Sequence, residues 1–412
     1  MSWTDVQVRL TPEQMNAVVE EAARDLIHLP FAVLRNRREL GARANQAVQA
    51  AVRRLGLPQP TASQLQAMAA QVVARVGGLG FLDALLPPNT HEYTDIAVNP
   101  DGTVWVRRKG QMSFERLDIR PTVEEVWRAV DALLAPVGRA CTEATPVVDA
   151  RLPRDPEHGF AGARINVTHP VITPGEGYPA VDIRLYEPRP VPPEQIVAWG
   201  MMPQGVMEGL LAAVAKRLRL MVIGGTSTGK TTLLSALCHG IPRDARIVTI
   251  EDPQEIWLPH PNVETLEARH APPGSDVRPF TVADGVDVAL RKSPSHIIVG
   301  EVRDGRAALA LFRALMTDHA GMTTFHAEGP DEAVHRMSVI LFADAQVRAD
   351  AAKGLFYRAV DWVVQVGWRN GERKLVGVWE VAGYKGGNVK FRPLWEPGEE
   401  RLREPEYRRE RG

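Results

Sequence analysis

The chain has 412 residues, with 44% hydrophobic and 24% charged residues and a formal net charge of −1. At about 150 residues per domain that length suggests two or three soluble globular domains, and the near-neutral charge argues against a globally basic nucleic-acid binder while leaving local basic patches open. The two cysteines, Cys141 and Cys238, are far apart; they make neither a disulfide framework nor a zinc module, and they suit a reducing cytoplasm.

No apolar run approaches the roughly 20 residues that cross a bilayer, and the N-terminus lacks the apolar centre of a secretory signal. Work at a membrane is therefore expected to pass through an embedded partner. Residues 1–85 read as helical. Thr11-Pro12-Glu13 is a good helix start, and apolar positions recur at Ala17, Val18, Ala22, Leu26 and Ile27. A basic helix follows around Arg35, Arg37, Arg38, Arg43, Arg53 and Arg54; it reads as a solvated face, with a docking surface for an acidic partner or lipid headgroups as the alternative. Ala62 to Val76 is a third helix, ended by Gly77-Gly78.

Residues 86–192 read as a small α+β domain. The segments 95–99 and 103–107 flank Asp101-Gly102, a strong hairpin signal. Pro121 to Leu134 is an amphipathic helix with Val123, Val126, Trp127, Val130, Leu133 and Leu134 on one face. Two strands then carry arginines, Ala163 to Val167 with Arg164 and Val181 to Leu185 with Arg184. Pro188, Pro190, Pro192 and Pro193 form a stiff linker, where the main domain boundary is expected.

From residue 193 to 398 strand and helix alternate, as a doubly wound parallel sheet requires. The central motif is Gly224-Gly225-Thr226-Ser227-Thr228-Gly229-Lys230-Thr231-Thr232, a glycine, four residues, then Gly-Lys-Thr. An apolar strand, Leu218 to Ile223, precedes it and a helix follows; that context turns the string into a phosphate-binding loop. Glycines let the backbone approach a polyphosphate with its N–H groups inward, and the helix N-terminus presents partial positive charge to the same anion. Lys230 is expected to reach the outer phosphates and Thr231 to ligate Mg²⁺.

Three further polar stretches are expected at the C-terminal ends of predicted strands, where an α/β sheet places ligands. Glu251-Asp252-Pro253-Gln254-Glu255 follows the strand 246–250, Glu301 with Arg303 follows 296–300, and residues 317–327 contain His319 and His326. Each alone is more often structural; the three in this order behind a phosphate loop are specific. The chain closes with hairpins about Asn370-Gly371 and Gly386-Gly387-Asn388, and a charged tail from Glu399 expected to be disordered.

With these motifs in place the chain resembles the secretion ATPases of type II and type IV systems, whose Walker A, Asp box, Walker B and His box come in this order. The likeness is strongest over residues 160–382 and greatest to the branch of Tad-pilus and type IV secretion ATPases, because His319 to Ala327 follows that branch's His box and the chain lacks the cysteine-rich zinc module of many type II members. The resemblance implies a RecA-like C-terminal ATPase domain with a smaller α+β (PAS-like) domain before it. It implies ATP and Mg²⁺ as ligands, with Glu301 acting on the metal or its water and Glu251 orienting or deprotonating the attacking water, supported by Asp252 and Glu255; either acid fits the role of base. It implies that His319 and His326 lie near the γ-phosphate as sensors or structural links, and that Arg164 and Arg184 reach the nucleotide, where guanidinium groups suit developing phosphate charge. Solvated strand arginines are the plainer alternative for those two, and Arg269 and Arg303 are weaker candidates. Zinc on the histidines lacks a closely spaced third ligand. Asp318 stands where the family usually has Gly, and Ser295-His296 where many members have Asp-Arg; the first places a carboxylate beside His319.

The functional expectation is a cytoplasmic ring motor, hexameric as the resemblance implies, peripheral at the inner face of the cell membrane. It would drive pilus assembly or export through an inner-membrane platform protein, with no direct nucleic-acid binding. A DNA-directed RecA-like translocase would instead show DNA stimulation and strong salt dependence, and a nucleotide-gated scaffold would assemble with little turnover.

Overall fold

The structure, a computed structural model, describes residues 9–26, 29, 33, 37–76, 79–87, 89–154, 160–186, 190–271 and 276–406. The chain divides into two compact units, residues 1–188 and 189–412.

The first unit opens with helices α1 (Pro12–Leu26), α2 (Arg37–Arg54) and α3 (Ala62–Val76). Apolar residues three and four apart on each helix form one stripe: Val18 and Ala22, Leu40, Ala44, Val48 and Ala51, Met68 and Val72 make a shared core. The basic face of α2 is partly neutralised on site, because Arg43 pairs with Glu39 (2.9 Å) and Arg54 with Asp25 (2.6 Å) and Glu21 (3.4 Å). Arg35 lies outside the described residues.

Six antiparallel strands follow: β1 (Tyr93–Val98), β2 (Val104–Arg108), β3 (Glu115–Arg116), β4 (Val147–Leu152), β5 (Ala163–Thr168) and β6 (Ala180–Leu185). Their order is β3-β2-β1-β6-β5-β4. Helix α4 (Val123–Leu134) is started by a capping box between Thr122 and Glu125, and it buries Val126, Ala129, Val130, Leu133 and Leu134. That stripe shares a core with the alternating residues Ile96, Val98, Val104, Val106, Ile165, Val167, Val181 and Ile183. The opposite face of the sheet is left to Arg164, Asn166 and their neighbours, since side chains alternate along a strand.

The second unit contains α5 (Pro193–Ala198), α6 (Gln204–Ala215), β7 (Leu220–Ile223), α7 (Lys230–Leu237), β8 (Ile247–Glu251), β9 (Val263–Glu267), α8 (Val282–Ala289), β10 (His296–Val299), α9 (Gly305–Met316), β11 (Ala320–Phe325), α10 (Pro330–Ala345), α11 (Ala349–Ala359), β12 (Trp362–Arg369), β13 (Glu372–Lys385) and β14 (Asn388–Trp395). The sheet order is β14-β13-β12-β7-β11-β10-β8-β9. Strands β12 through β9 in that order pair in parallel, while β13 and β14 are added by antiparallel hairpins. Strands β7, β8, β10 and β11 are buried along their whole length, which suits their largely apolar sequences.

Two features depart from the sequence reading. Strand β12 pairs with β7 (Val364 opposite Val222), so the C-terminal hairpins extend the central sheet beside the phosphate-loop strand. The charged tail is packed as far as Glu406: Leu402 joins the core around α6, Trp395 Nε1 donates to the Glu399 carbonyl (2.7 Å), and Arg403 bridges Glu396 (2.6 Å) and Glu399 (2.8 Å). One apolar anchor and paired charges hold what composition alone read as disordered. Residues 407–412 lie outside the described residues. No described helix is long and apolar enough to cross a membrane.

Candidate nucleotide site

The site is built where the parallel strands end. Strand β7 delivers the chain into the loop 224–229, and α7 begins at Lys230. Gly224 has φ 155° and Gly229 φ 91°, conformations that L side chains rarely adopt, and a Cβ on Gly224 would collide with the Val366 carbonyl of β12. Ser227 is also left-handed, with φ 59°. Thr228 Oγ1 donates to the Gly225 carbonyl (2.9 Å), and Arg373 Nε donates to the Ser227 carbonyl (3.0 Å). The loop is thus a wound turn at a helix N-terminus, the arrangement that binds phosphate.

Lys230 is buried, and its ammonium is held by the carbonyls of Gly224 (3.1 Å) and Gly225 (2.8 Å). It also lies 3.4 Å from His326 Nδ1. An ammonium only donates, so Nδ1 accepts and the ring proton sits on Nε2, 2.9 Å from Glu301 Oε1. Burial first, and then the charge of Lys230, hold the His326 pKa below 6.5, against an opposing pull from Glu301. His326 is therefore a neutral link between the lysine and the acid. Glu301 Oε2 accepts from Arg303 Nε (2.6 Å), and Arg303 Nη1 reaches the Asp252 carbonyl (3.4 Å).

Glu251, the last residue of β8, is 2% exposed. Its Oε1 accepts from the backbone N–H of Glu255 (3.0 Å) and of Ile256 (2.9 Å), which fixes the carboxylate. It packs on Gly300, the residue before Glu301: a Cβ there would lie 3.0 Å from Glu251 Cγ. Thr324 Oγ1 donates to the Gly300 carbonyl (2.8 Å), tying β11 to the end of β10. Asp252 pairs with His270 (3.1 Å). Cys238 is fully buried, and burial together with the Glu251 charge pushes its thiol pKa up, so it is an inert core residue.

The structure brings Gly224 to Thr232, Lys230, Glu251, Glu301 and His326 to one edge of the sheet. It does not bring His319 there. His319 precedes β11, and its Nδ1 sits at Thr317 Oγ1 (2.8 Å) and the Ala314 carbonyl (3.2 Å) at the end of α9. Because β11 is parallel to β7, its start is at the opposite edge from the loop, about 20 Å away at ~3.3 Å per residue. The expected nucleotide role of His319 is corrected accordingly: within this chain it caps a helix, and Asp318 beside it leaves the phosphate loop undisturbed. Arg269 instead bridges backbone to Phe280 and donates to the Arg278 carbonyl (3.2 Å).

Arg164 and Arg184 belong to the first unit, where they stand directly opposite each other on β5 and β6. Arg151 on β4 is opposite Arg164. The three form one row across neighbouring strands on the face away from the core. Arg151 was missed by sequence reasoning, although the buried alternation of Val148, Ala150 and Leu152 marks its strand. No group of three or more His, Cys, Asp or Glu suited to a metal occurs among the described residues. A metal here would take its ligands from a hydroxyl, one carboxylate, water and phosphate oxygens, the manner of Mg²⁺.

The family described as "Type II/IV secretion system protein" matches residues 85–355. A putative conjugal transfer protein of Mycobacterium tuberculosis is 34% identical over 265 residues, covering 64% of this chain and 73% of its own length. An uncharacterized protein of Methanocaldococcus jannaschii is 32% identical over 202 residues; the match spans 49% of this chain and only 35% of that protein. Among solved structures, the Yersinia pseudotuberculosis ATPase DotB superposes with a TM-score of 0.54 at 20% identity, covering 73% of this chain and 78% of that one, a likeness of fold that agrees with the RecA-like second unit. With most of its residues inside the family match and its phosphate loop, acids and His326 assembled on one edge, the chain belongs to the type II/IV secretion system protein family.

Proposed function

We propose that this chain is a magnesium-dependent ATPase that powers secretion or pilus assembly. The observation that supports it most is the chain of contacts from Lys230 through neutral His326 to Glu301, with Glu251 packed against the same strand end. The loop amides and the start of α7 would take the phosphates. Lys230 would exchange its loop carbonyls for phosphate oxygens, and His326 would pass that change to Glu301. Thr231 and Glu301 would hold magnesium, directly or through water; when bound, the ion neutralises phosphate charge. Glu251, its carboxylate fixed by two backbone amides, would orient the attacking water and accept its proton. Arg164 and Arg184 would supply further positive charge to the nucleotide.

Membership of the family and the likeness to a putative conjugal transfer protein of Mycobacterium support the wider role. A ring, six chains in the working form, would transmit closure of the two units to a membrane-embedded platform protein. The test is ATP hydrolysis by the purified chain with and without magnesium. Wild type should hydrolyse ATP only with the metal, and Lys230→Ala should not. Hydrolysis unaffected by Lys230→Ala defeats the reading, as does none at all with the membrane partner present.

A further inference from the structure

We propose that Arg373, on the C-terminal hairpin, is a positioning residue of the nucleotide site that holds the crown of the phosphate loop in its binding form. This rests on the nucleotide reading above. Arg373 lies outside the motifs that mark the loop, acids and histidine, and the turn before it, Asn370-Gly371, reads from sequence as a plain hairpin.

Three contacts carry the inference. Arg373 Nε donates to the Ser227 carbonyl at 3.0 Å. Its Cδ lies 3.5 Å from where a Cβ on Gly229 would stand. Its guanidinium sits 5.1 Å from the centre of the Trp368 ring, a cation–π contact that holds the side chain over the loop. Ser227 occupies the left-handed region, at φ 59°, a conformation disfavoured for serine that persists only where the surroundings impose it. Arg373 is the side chain that grips its carbonyl.

The peptide geometry gives this grip a consequence. In a trans peptide the C=O and the next N–H point in opposite directions. Fixing the Ser227 carbonyl toward Arg373 therefore turns the Thr228 N–H away from Arg373, to the side that forms the phosphate cradle. Without the arginine the Ser227–Thr228 peptide loses this restraint, and the loop must order that inward donor on binding.

The same hairpin is joined to the segment that enters the second unit. Leu375 N–H donates to the Met201 carbonyl (2.8 Å), Lys374 Nζ to the Gly200 carbonyl (2.8 Å), and Met201 Cε lies 3.4 Å from the Gly229 Cβ position. Arg373 thus stands between the phosphate loop and the residues that follow the proline-rich stretch.

The test is equilibrium ATP binding to the full chain, read by calorimetry and by the ATP-induced rise in melting temperature. Arg373→Ala should bind ATP about ten- to a hundred-fold more weakly, the range of a charge-assisted hydrogen bond, and should raise KM more than it lowers kcat. Arg373→Lys, which keeps the charge and a donor, should recover at least half of the loss on a logarithmic scale. Arg369→Ala, an exposed residue of the same hairpin, should bind as wild type does. Arg373→Ala binding as tightly as wild type overturns the proposal, and so does a folded Arg373→Lys no better than Arg373→Ala. If wild type itself shows no ATP binding, the nucleotide reading fails first, which separates the two.

Discussion

Arg219 and Asp361 form a buried ion pair whose loss can be sized from the structure. Their side chains are 8% and 7% exposed. Asp361 Oδ2 accepts from the Arg219 backbone N–H (2.8 Å) and Nε (2.9 Å), Oδ1 accepts from Nη2 (2.9 Å), and Nη1 donates to the Leu315 carbonyl (2.6 Å). The pair clamps the starts of β7 and β12 to the end of α9, so it sets the register of the strand that carries the phosphate loop. Asp361→Ala leaves a buried guanidinium without its carboxylate, which costs about 3–5 kcal/mol. For a unit of this size that is a fall in melting temperature of roughly 6–20 °C. Arg219→Met should cost a similar amount. The double variant should cost less than the sum, because neither charge is then left alone. The assay is thermal and urea unfolding of the full chain, with the second unit's transition identified by its shift in saturating ATP. An Asp361→Ala protein within about 1 kcal/mol of wild type would refute the reasoning.

Glu251→Gln should keep ATP affinity within about threefold while lowering hydrolysis on the order of a hundred-fold or more, since a positioned base contributes that much; single-turnover kinetics with a binding titration separate the two. His326 has its pKa held below the unfolded value of 6.5 by burial and by Lys230, with Arg336 and Arg303 adding to and Glu301 opposing that shift. The unfolded chain then binds the proton more tightly, so the stabilisation is present above pH 6.5 and is lost as pH falls through the lowered pKa. Melting temperature measured from pH 7.5 to 5 should drop less steeply in His326→Gln than in wild type. At Gly209 a Cβ would lie 2.7 Å from Leu402 Cδ1; Gly209→Leu should displace the tail from α6, at about 1–3 kcal/mol, and hydrogen exchange over residues 396–406 should rise while the rest of the unit stays protected.

The phosphate loop was legible because it is a local device: glycines, lysine and threonine at fixed spacing between a strand and a helix. Glu251, Glu301 and His326 were legible because each lies just beyond the end of an apolar run, and a parallel sheet gathers those ends on one edge. His319 was misplaced for the same reason. It sits only seven positions before His326 in the sequence, but β11 starts at Ala320, not Met322, and a whole strand separates the two histidines. The packed tail escaped notice because its one apolar anchor, Leu402, is isolated among charges, and its site on α6 is defined by Gly205 and Gly209 from far upstream. Arg373 escaped because its partner, a backbone carbonyl, leaves no mark on the sequence.

The arginine row of the first unit shows the complementary kind of signal, a local conflict visible only once strands are in register. Arg151, Arg164 and Arg184 face one another across β4, β5 and β6, and like charges directly opposite are destabilising in a sheet. Asp149 approaches Arg164 at 3.8 Å, and Asp95, opposite Arg184, is bound by Arg107 at 2.6 Å. Beside this row runs a second containing Asp182, whose carboxyl pKa is raised by burial and by Asp95. Planar forks of N–H donors set in such a row match an anion with several oxygens. The pairing register alone sets Arg151 beside Arg164 and Arg184, the two arginines expected to reach a nucleotide.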